Sequence, residues 1–236
     1  MPRRVAFLIP ALNEEAAIAS MLDGLRAVLP EANCEGAPIL VIDNASSDNT
    51  ASVARAHGAL VIEEPRRGYG QACLAGIAAL PSETDIVVFL DADASDDPAD
   101  LPRVLEPVCK GSADLVLGSR TAAASEHGVF TAQQAFGNWL ATWLMRALIG
   151  ARYTDLGPFR AIRRDALDAL NMQDTDFGWT IEMQIKAYRQ GLRVLEIPVN
   201  YRKRVAGESK ISGNLLGTVR AGGKILLTIA RYAFRK

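Results

Sequence analysis

Two aspartates separated by one residue, Asp91 and Asp93, follow the apolar run at residues 86–90. A short run of β-branched and aromatic residues is typical of a buried strand, which would deliver both carboxylates to the edge of a sheet. Two like charges on a tight turn are costly unless solvent or a cation faces them. Mg²⁺ and Mn²⁺ are commonly held by one or two carboxylates together with substrate phosphates. The pair therefore suggests a divalent metal site beside a diphosphate.

The same acidic segment also has a purely structural interpretation. Residues 91–97 can form a solvated acidic loop in which Asp97 caps a helix that begins at Pro98. Asp is a favoured helix cap, and Pro is favoured at the first helical position. The spacing of Asp91 and Asp93 alone does not separate a metal site from such a loop, so the surrounding elements decide.

The elements around the aspartates alternate between strand and helix patterns. Apolar runs of strand type occur at residues 4–10, 39–42, 60–63 and 86–90, and each is followed by a helical pattern. This order predicts right-handed β-α-β crossovers and an α/β fold, with helices on both faces of a mainly parallel, Rossmann-like sheet. Ligands of such sheets bind at the carboxyl ends of the strands. The polar segments found there are Asn13-Glu14-Glu15, Asp43-Asn44, Arg66-Arg67-Gly68 and Asp91-Ala92-Asp93.

The second half of the chain continues the pattern less regularly. Residues 114–118 form a further strand pattern, and Arg120 follows it at the same expected edge. A helical stripe then predicts core packing, with an apolar acceptor groove as the alternative; its members are Phe136, Leu140, Trp143, Leu144, Ala147 and Leu148. Asp155 lies near Arg160 and could pair with it. A helix that includes Glu182 opens at Trp179, and residues 194–201 form a late strand pattern.

Composition and motifs exclude several classes of protein. With 236 residues, 49% of them hydrophobic and 22% charged, the chain can bury a full core. Its three cysteines are odd in number and widely spaced, which predicts a reducing compartment and no disulfide framework. No apolar run of membrane-spanning length occurs, so we expect a cytoplasmic protein. Neither Gly-x-Gly-x-x-Gly after the first strand nor a Gly-Lys-Ser/Thr motif is present, which disfavours dinucleotide and Walker-type sites.

The net charge of −1 hides a strongly basic C-terminal segment. Residues 202–236 contain a single acid, Glu208, and nine basic residues: Arg202, Lys203, Arg204, Lys210, Arg220, Lys224, Arg231, Arg235 and Lys236. This charge favours an anionic partner. The segment has few aromatic residues and no recognisable nucleic-acid-binding motif, so we expect no nucleic acid partner. Its apolar residues can form an amphipathic helix that lies on a membrane surface or packs on the domain. They are Leu215, Leu216, Val219, Ile225, Leu226 and Ile229.

Taken together, these segments resemble a family 2 glycosyltransferase of the GT-A fold. The matching segments keep their order across roughly residues 5–210; they are residues 10–15, 43–50, 68–70, 91–93, 118–120 and 204–210. The last is most similar to the branch that transfers mannose or glucose to dolichyl or polyprenyl phosphate. The resemblance implies a GT-A domain over residues 1–210, with a basic amphipathic helix over residues 211–236.

The resemblance assigns roles to individual residues. It implies that the nucleotide-sugar donor is bound by Pro10, Ala11, Leu12, Glu14, Asp43, Asn44, Gly68, Asp91, Ala92, Asp93 and Arg120. Asp91 and Asp93 would hold Mg²⁺ or Mn²⁺, which neutralises charge on the leaving nucleoside diphosphate. The acceptor phosphate would be bound by Arg120, Arg204, Ser209 and Lys210. After residues 93 and 120 the sequence departs from the pattern of that branch. A uridine diphosphate sugar and a guanosine diphosphate sugar therefore remain alternative donors.

The expected mechanism depends on the acceptor. The oxygen of a lipid phosphate is already ionised and can attack the anomeric carbon in line, inverting its configuration, so positioning and electrostatics dominate. A hydroxyl acceptor, the first alternative, would need a general base, for which Asp155 and Glu182 are the candidates. A non-catalytic binding protein on a transferase fold is the second alternative. Attachment to the inner face of the cell membrane, a membrane partner and a homodimer are further expectations.

Overall fold

A computed structural model describes residues 3–121, 131–202 and 215–234 of the chain. Seven strands occur in this part: β1 (Val5–Ala11), β2 (Ile39–Asp43), β3 (Leu60–Glu63), β4 (Ile86–Phe89), β5 (Leu115–Ser119), β6 (Arg160–Arg163) and β7 (Val194–Pro198). Eight α-helices accompany them: α1 (Glu15–Val28), α2 (Thr50–Ala56), α3 (Tyr69–Ala78), α4 (Leu101–Cys109), α5 (Ala132–Ile149), α6 (Arg164–Leu170), α7 (Trp179–Arg189) and α8 (Leu215–Phe234). The predicted α/β fold is confirmed.

The strands form a single mixed sheet in the order β3-β2-β1-β4-β6-β5-β7. The β6 strand is antiparallel to its neighbours β4 and β5, whereas every other pair in the sheet is parallel. Six carboxyl ends and the amino end of β6 therefore share one edge, which we call the site edge. The sequence patterns did not predict β6, whose Arg160 is a fully buried charged residue.

Helices bury both faces of the sheet because its central strands are apolar on both sides. Phe7 and Ile9 of β1 belong to one core cluster, together with Ile18 of α1. Leu8, between them in sequence, points to the other face, where Trp179 of α7 contributes to a second cluster. This alternation is the period of two that a strand imposes on its side chains. Every residue of β1 is buried, as expected for a central parallel strand.

The C-terminal helix α8 packs against α5 and α7. Ile229 is 1% exposed in this interface, and Ile225 packs beside it. These two residues are therefore used for packing on the domain, which was the second of the two interpretations of the amphipathic pattern. The boundary expected between residues 210 and 211 lies outside the described residues. Among the helices of the described ranges, none is long and apolar enough to cross a membrane.

Candidate active site

A cleft of about 290 Å³ opens at the site edge. Nine of its lining residues belong to the predicted donor set: Pro10, Ala11, Leu12, Glu14, Asn44, Gly68, Asp91, Ala92 and Asp93. Five others complete the wall: Arg67, Tyr69, Ala72, Asp176 and Phe177. The loops after β1, β2, β3 and β4 thus meet in one place, because parallel neighbours bring their carboxyl ends to the same edge. Sequence reasoning missed Asp176 and Phe177, which precede α7 and match no motif.

The loop after β4 places Asp91 and Asp93 at the floor of this cleft. Asp93 is buried, and its Oδ1 accepts hydrogen bonds from Ser95 N at 2.9 Å and Ser95 Oγ at 2.5 Å. Ala94, between Asp93 and Ser95, has a φ of 57°, a left-handed conformation that residues with a Cβ adopt at a cost in energy. This tight turn keeps both carboxylates within the cleft lining rather than in an extended loop.

Asp96 is a third carboxylate at this position, and its role was not predicted. It is 1% exposed, and its Oδ2 accepts a hydrogen bond from Asp91 N at 3.3 Å. Burial, with a further contribution from Asp93, raises the pKa of Asp96 to about 7, although Arg120 acts in the opposite direction. The interpretation of residues 91–97 as a solvated acidic loop is therefore wrong for Asp93, Asp96 and Asp97, which are buried. Asp97 nevertheless caps the short 3₁₀ turn Pro98–Asp100, as that interpretation expected.

Asp43 and Asn44 at the end of β2, which were predicted to bind the nucleotide donor, differ in what their side chains contact. Asn44 Oδ1 accepts from Gly68 N at 2.8 Å, and its Nδ2 donates to Arg66 O at 2.7 Å. This amide therefore fastens the loop that follows β3. Asp43 does not line the cleft, but its buried Oδ1 has no hydrogen-bond partner among the described residues. A buried carboxylate oxygen in that state can accept a ligand N–H or O–H without giving up an internal bond.

Residues Asn13 and Glu14 at the end of β1 hold the loop that follows β2. Asn13 Oδ1 accepts from Ser47 N at 2.7 Å, and Glu14 N donates to Thr50 Oγ1 at 2.8 Å. Asn13 does not cap α1, because α1 has Glu14 at its cap position and no side-chain cap bond. Glu14 itself is 8% exposed and lines the cleft.

Glycine is required at two positions, the cap and the first turn of α3, where the chain meets the loop before α7. Gly68 has a φ of 141°, and a Cβ there would lie 2.2 Å from Thr175 O. A Cβ on Gly70 would lie 2.0 Å from Asp174 O. Both positions therefore accept no side chain without a backbone shift. This close approach brings Asp176 and Phe177 to the cleft.

Arg120, which follows β5, and Asp155, which precedes β6, form a largely buried ion pair at the site edge. Arg120 Nε donates to Asp155 Oδ2 at 2.8 Å, and Nη2 donates to Oδ1 at 2.9 Å. Burial acts to raise the pKa of Asp155, but Arg120 outweighs it and holds that pKa below its usual range. The expected alternative pairing with Arg160 is wrong, since Arg160 donates to the backbone oxygens of Thr180 and Gly157. A carboxylate held by two arginine nitrogens is poorly suited to act as a base.

Glu182, the second expected base, lies away from the cleft and is fully buried. Its carboxylate accepts from Tyr232 Oη at 2.6 Å and from Asp174 N at 2.6 Å, and it pairs with Lys186 at 2.7 Å. Burial acts to raise the pKa of Glu182, yet the bonds from Lys186 and Tyr232 lower it. These contacts give Glu182 a structural role, because they join α7, α8 and the loop that carries Asp176.

The remaining acceptor residues of the prediction lie outside the described residues: Arg204, Ser209 and Lys210. The chain leads toward them from Tyr201, whose ring centroid is 5.0 Å from the Arg120 guanidinium carbon. Arg120 itself does not line the cleft. Its guanidinium thus contacts both Asp155 and the ring of Tyr201.

Asp91 and Asp93 could bind a divalent metal only if the phosphates of a bound nucleotide complete its coordination. Within the described ranges, no group of three or more His, Cys, Asp or Glu side chains could hold a metal ion. Asp91 and Asp93 offer carboxylate oxygens in the cleft lining. Mg²⁺ is characteristically bound by one or two carboxylates plus substrate phosphates and water, so this pair fits an ion that arrives with its nucleotide.

Comparison with known proteins places these residues in a family context. The family model described as Glycosyl transferase family 2 matches residues 6–170. An uncharacterized glycosyltransferase of Mycobacterium tuberculosis is 39% identical over 215 residues, covering 91% of this chain and 93% of that protein. The undecaprenyl-phosphate mannosyltransferase of Micrococcus luteus is 32% identical over 228 residues, covering 91% of this chain and 90% of that protein.

Solved structures show the same fold. Glucosyl-3-phosphoglycerate synthase from Mycobacterium tuberculosis, in complex with Mn²⁺, uridine diphosphate and phosphoglyceric acid, superposes with a TM-score of 0.78. The sequences are 23% identical, and the superposition covers 99% of this chain and 80% of the other. The likeness therefore concerns the architecture of the sheet and its helices.

Proposed function

The chain belongs to glycosyltransferase family 2, and from that membership we propose that it transfers a sugar from a nucleotide-diphosphate donor to a polyprenyl phosphate. The donor is a uridine or guanosine diphosphate sugar. The observation that carries the proposal is the cleft at the site edge, where Asp91 and Asp93 lie with Glu14 and Gly68 in one lining. The similarity to an undecaprenyl-phosphate mannosyltransferase over nine tenths of both chains supports the choice of acceptor class.

The donor is proposed to bind across the carboxyl ends of β1 to β4. The Oδ1 of Asp43, which has no partner in the part of the chain that the structure describes, would accept from the base or ribose, with Asn44 as the residue that fixes the surrounding loop. Pro10, Ala11 and Leu12 provide an apolar wall for the nucleoside. Asp91 and Asp93 would hold Mg²⁺ or Mn²⁺ beside the diphosphate. When bound, the metal supplies Lewis-acid stabilisation of charge on the leaving diphosphate.

The acceptor side supports a phosphate rather than a hydroxyl. Neither expected base is available, because Asp155 is bound by Arg120 and Glu182 is fully buried among its own partners. A phosphate oxygen needs no base to attack the anomeric carbon, and the sugar would be transferred with inversion. Arg120, together with Arg204, Ser209 and Lys210, is proposed to attract the acceptor phosphate. Basic groups of this kind position a phosphate and stabilise its charge.

Three organisational proposals accompany this function. We propose a transferase unit over residues 1–210 and a C-terminal helical unit over residues 211–236, and a cytoplasmic location on the inner face of the membrane. The three cysteines are all free, which agrees with a reducing compartment. The apolar face of α8 that contains Ile229 packs on the domain, so membrane contact would need other residues.

The test measures release of nucleoside diphosphate by the purified chain with Mn²⁺ and a panel of nucleotide sugars. Each donor is incubated with polyprenyl phosphate, with polyprenol lacking the phosphate, or with no acceptor. We expect release that requires the lipid phosphate. Turnover with a hydroxyl compound in its place would support the alternative acceptor class, and no turnover with any donor would overturn the proposed function.

A further inference from the structure

Helix α5 carries an exposed aromatic face formed by Phe136, Trp139 and Trp143. These side chains are 60%, 57% and 52% exposed. Their spacing of three and four residues places them on one side of the helix, and their rings contact in sequence at 5.8 and 6.4 Å between centroids. The opposite side packs on the domain through Ala141 and Met145. The expected core packing of this stripe is therefore wrong for its four exposed members, Phe136, Trp143, Ala147 and Leu148. An exposed apolar surface of this kind indicates an interaction site.

The charged residues of α5 and of its neighbour α8 are of one sign. Helix α5 contains Arg146 and no acid, and helix α8, which packs against it, contains three basic residues and no acid. Arg146 lies three residues beyond Trp143 and is exposed. Tryptophan is enriched at membrane interfaces, where its ring sits at the headgroup level, and basic residues are attracted to anionic lipids. On α8, Leu226 and Leu227 are also exposed, at 40% and 66%.

We propose that the aromatic face of α5 docks on the headgroup region of an anionic lipid bilayer. The three rings enter the interface between headgroups and acyl chains, and Arg146 contacts lipid phosphates. A second copy of the chain fits this face less well. In a two-fold dimer each α5 would meet a surface of the same sign, and neither α5 nor α8 offers an acid to pair with Arg146.

The aromatic face of α5 lies next to the segment that contains Asp155 at the site edge. Asn138, adjacent to Trp139, donates from Nδ2 to Thr154 O at 3.1 Å and accepts on Oδ1 from Leu156 N at 3.1 Å. These two bonds bracket Asp155, which holds Arg120. Docking would therefore bring the bilayer surface beside the proposed acceptor side, so the inference rests on the proposed function for its purpose and deepens it by naming the surface that meets the lipid.

The test is flotation of the full chain with lipid vesicles that contain neither polyprenyl phosphate nor nucleotide. One set of vesicles is phosphatidylcholine, and the other also contains phosphatidylglycerol. We expect the wild-type chain to float with the anionic vesicles. The double variant Trp139→Ser/Trp143→Ser should lose at least about tenfold in partitioning, because it removes two large apolar side chains that would leave water on docking. Arg146→Glu should weaken binding to anionic vesicles and leave binding to neutral vesicles unchanged.

Leu60→Ser is the matched control, because Leu60 is 57% exposed, as Trp139 is, but lies on the edge strand β3. This variant should float as the wild type does. The inference is overturned if the wild type does not float, or if Trp139→Ser/Trp143→Ser and Arg146→Glu both float normally. It is also overturned if light scattering finds a lipid-free dimer that the double variant converts to a monomer. Sugar transfer is measured separately on detergent-dispersed polyprenyl phosphate, so failure of vesicle binding and failure of the proposed reaction are distinguishable.

Discussion

The two halves of the site edge place their charged groups in opposite states. On the side of β1 to β4, Asp91 and Asp93 line the cleft, and Asp43 keeps a buried oxygen without a partner among the described residues. On the side of β5 to β7, Asp155 is held by two side-chain nitrogens of Arg120. Away from the cleft, Glu182 of α7 is enclosed by Tyr232, Lys186 and backbone N–H groups. The second set therefore serves the fold, and we propose that the first set serves a ligand. A buried acid held in an ion pair stabilises the structure, whereas an acid in the lining of a cleft can also meet a bound ligand.

The largest effect is expected from removing charge on the ligand-facing side. Asp93→Asn should reduce sugar transfer by about 10³-fold or more, because loss of a metal ligand removes several kcal/mol of transition-state stabilisation. Initial rates measured with Mn²⁺ and saturating donor check this outcome. Asp168→Asn serves as the control, since Asp168 is a surface acid paired with Arg164 on α6. A variant at Asp93 with wild-type turnover would remove the distinction between the two halves.

The next effect is on stability and belongs to the structural side. Asp155→Asn should lower the free energy of unfolding by about 3–5 kcal/mol, because it removes the carboxylate charge that holds the largely buried guanidinium of Arg120. Urea denaturation measures this change. The control is Glu63→Gln, which breaks the exposed pair with Arg55 and should cost less than about 1 kcal/mol. Equal losses in the two variants would show that Asp155 is no more structural than a surface acid.

The same pair predicts the direction of a pH effect. The folded-state pKa of Asp155 lies below its unfolded value of about 3.9. The stabilisation is therefore fully present above that unfolded value and is lost as pH falls through the lower folded value. We expect the stability difference between the wild type and Asp155→Asn to be constant above about pH 5 and to shrink in more acidic buffer. Thermal unfolding between pH 3 and 7 measures it, and a gap that widens on acidification would contradict the assignment.

A smaller effect is expected where the structural side supports the cleft. Glu182→Gln weakens the acceptor of the N–H groups of Gln173 and Asp174, which fix the loop carrying Asp176 and Phe177. We expect a several-fold rise in the KM for the donor with little change in kcat, since this loop is proposed to contact the bound donor and not the reacting atoms. If Glu182 were the general base, kcat would instead fall by about 10²-fold or more. Steady-state kinetics separate the two results.

The smallest effect concerns the bond that ties α8 to α7. Tyr232→Phe removes the hydroxyl that donates to Glu182 Oε1 at 2.6 Å and should cost about 1.5–3 kcal/mol, the range for a hydrogen bond to a charged group. Chemical denaturation is the measurement, with Tyr188→Phe as the control because Tyr188 is exposed on the same helix as Glu182. A cost at Tyr232 no greater than at Tyr188 would show that α8 is not held through this contact.

The same division between the halves explains what the sequence could predict. Strands β1 to β4 and the polar loops after them were predictable because short apolar runs alternate with helices, and parallel strands bring those loops together. The antiparallel strand β6 was missed because its pattern begins with a charged residue, Arg160, whose burial depends on contacts with Gly157 and Thr180. The partners of Asp155 and Glu182 come from residues 35 and 50 positions away, which spacing along the chain does not reveal.

The central claim is that the paired acids of the cleft bind a divalent cation together with a nucleoside diphosphate. Isothermal titration of uridine and guanosine diphosphate, with and without Mn²⁺, tests it on the wild type and on Asp93→Asn. We expect Mn²⁺ to tighten binding of one nucleotide by at least about tenfold in the wild type, and to have no such effect in Asp93→Asn. Nucleotide binding that is equally tight without the metal, or equally metal-dependent in Asp93→Asn, would contradict the account.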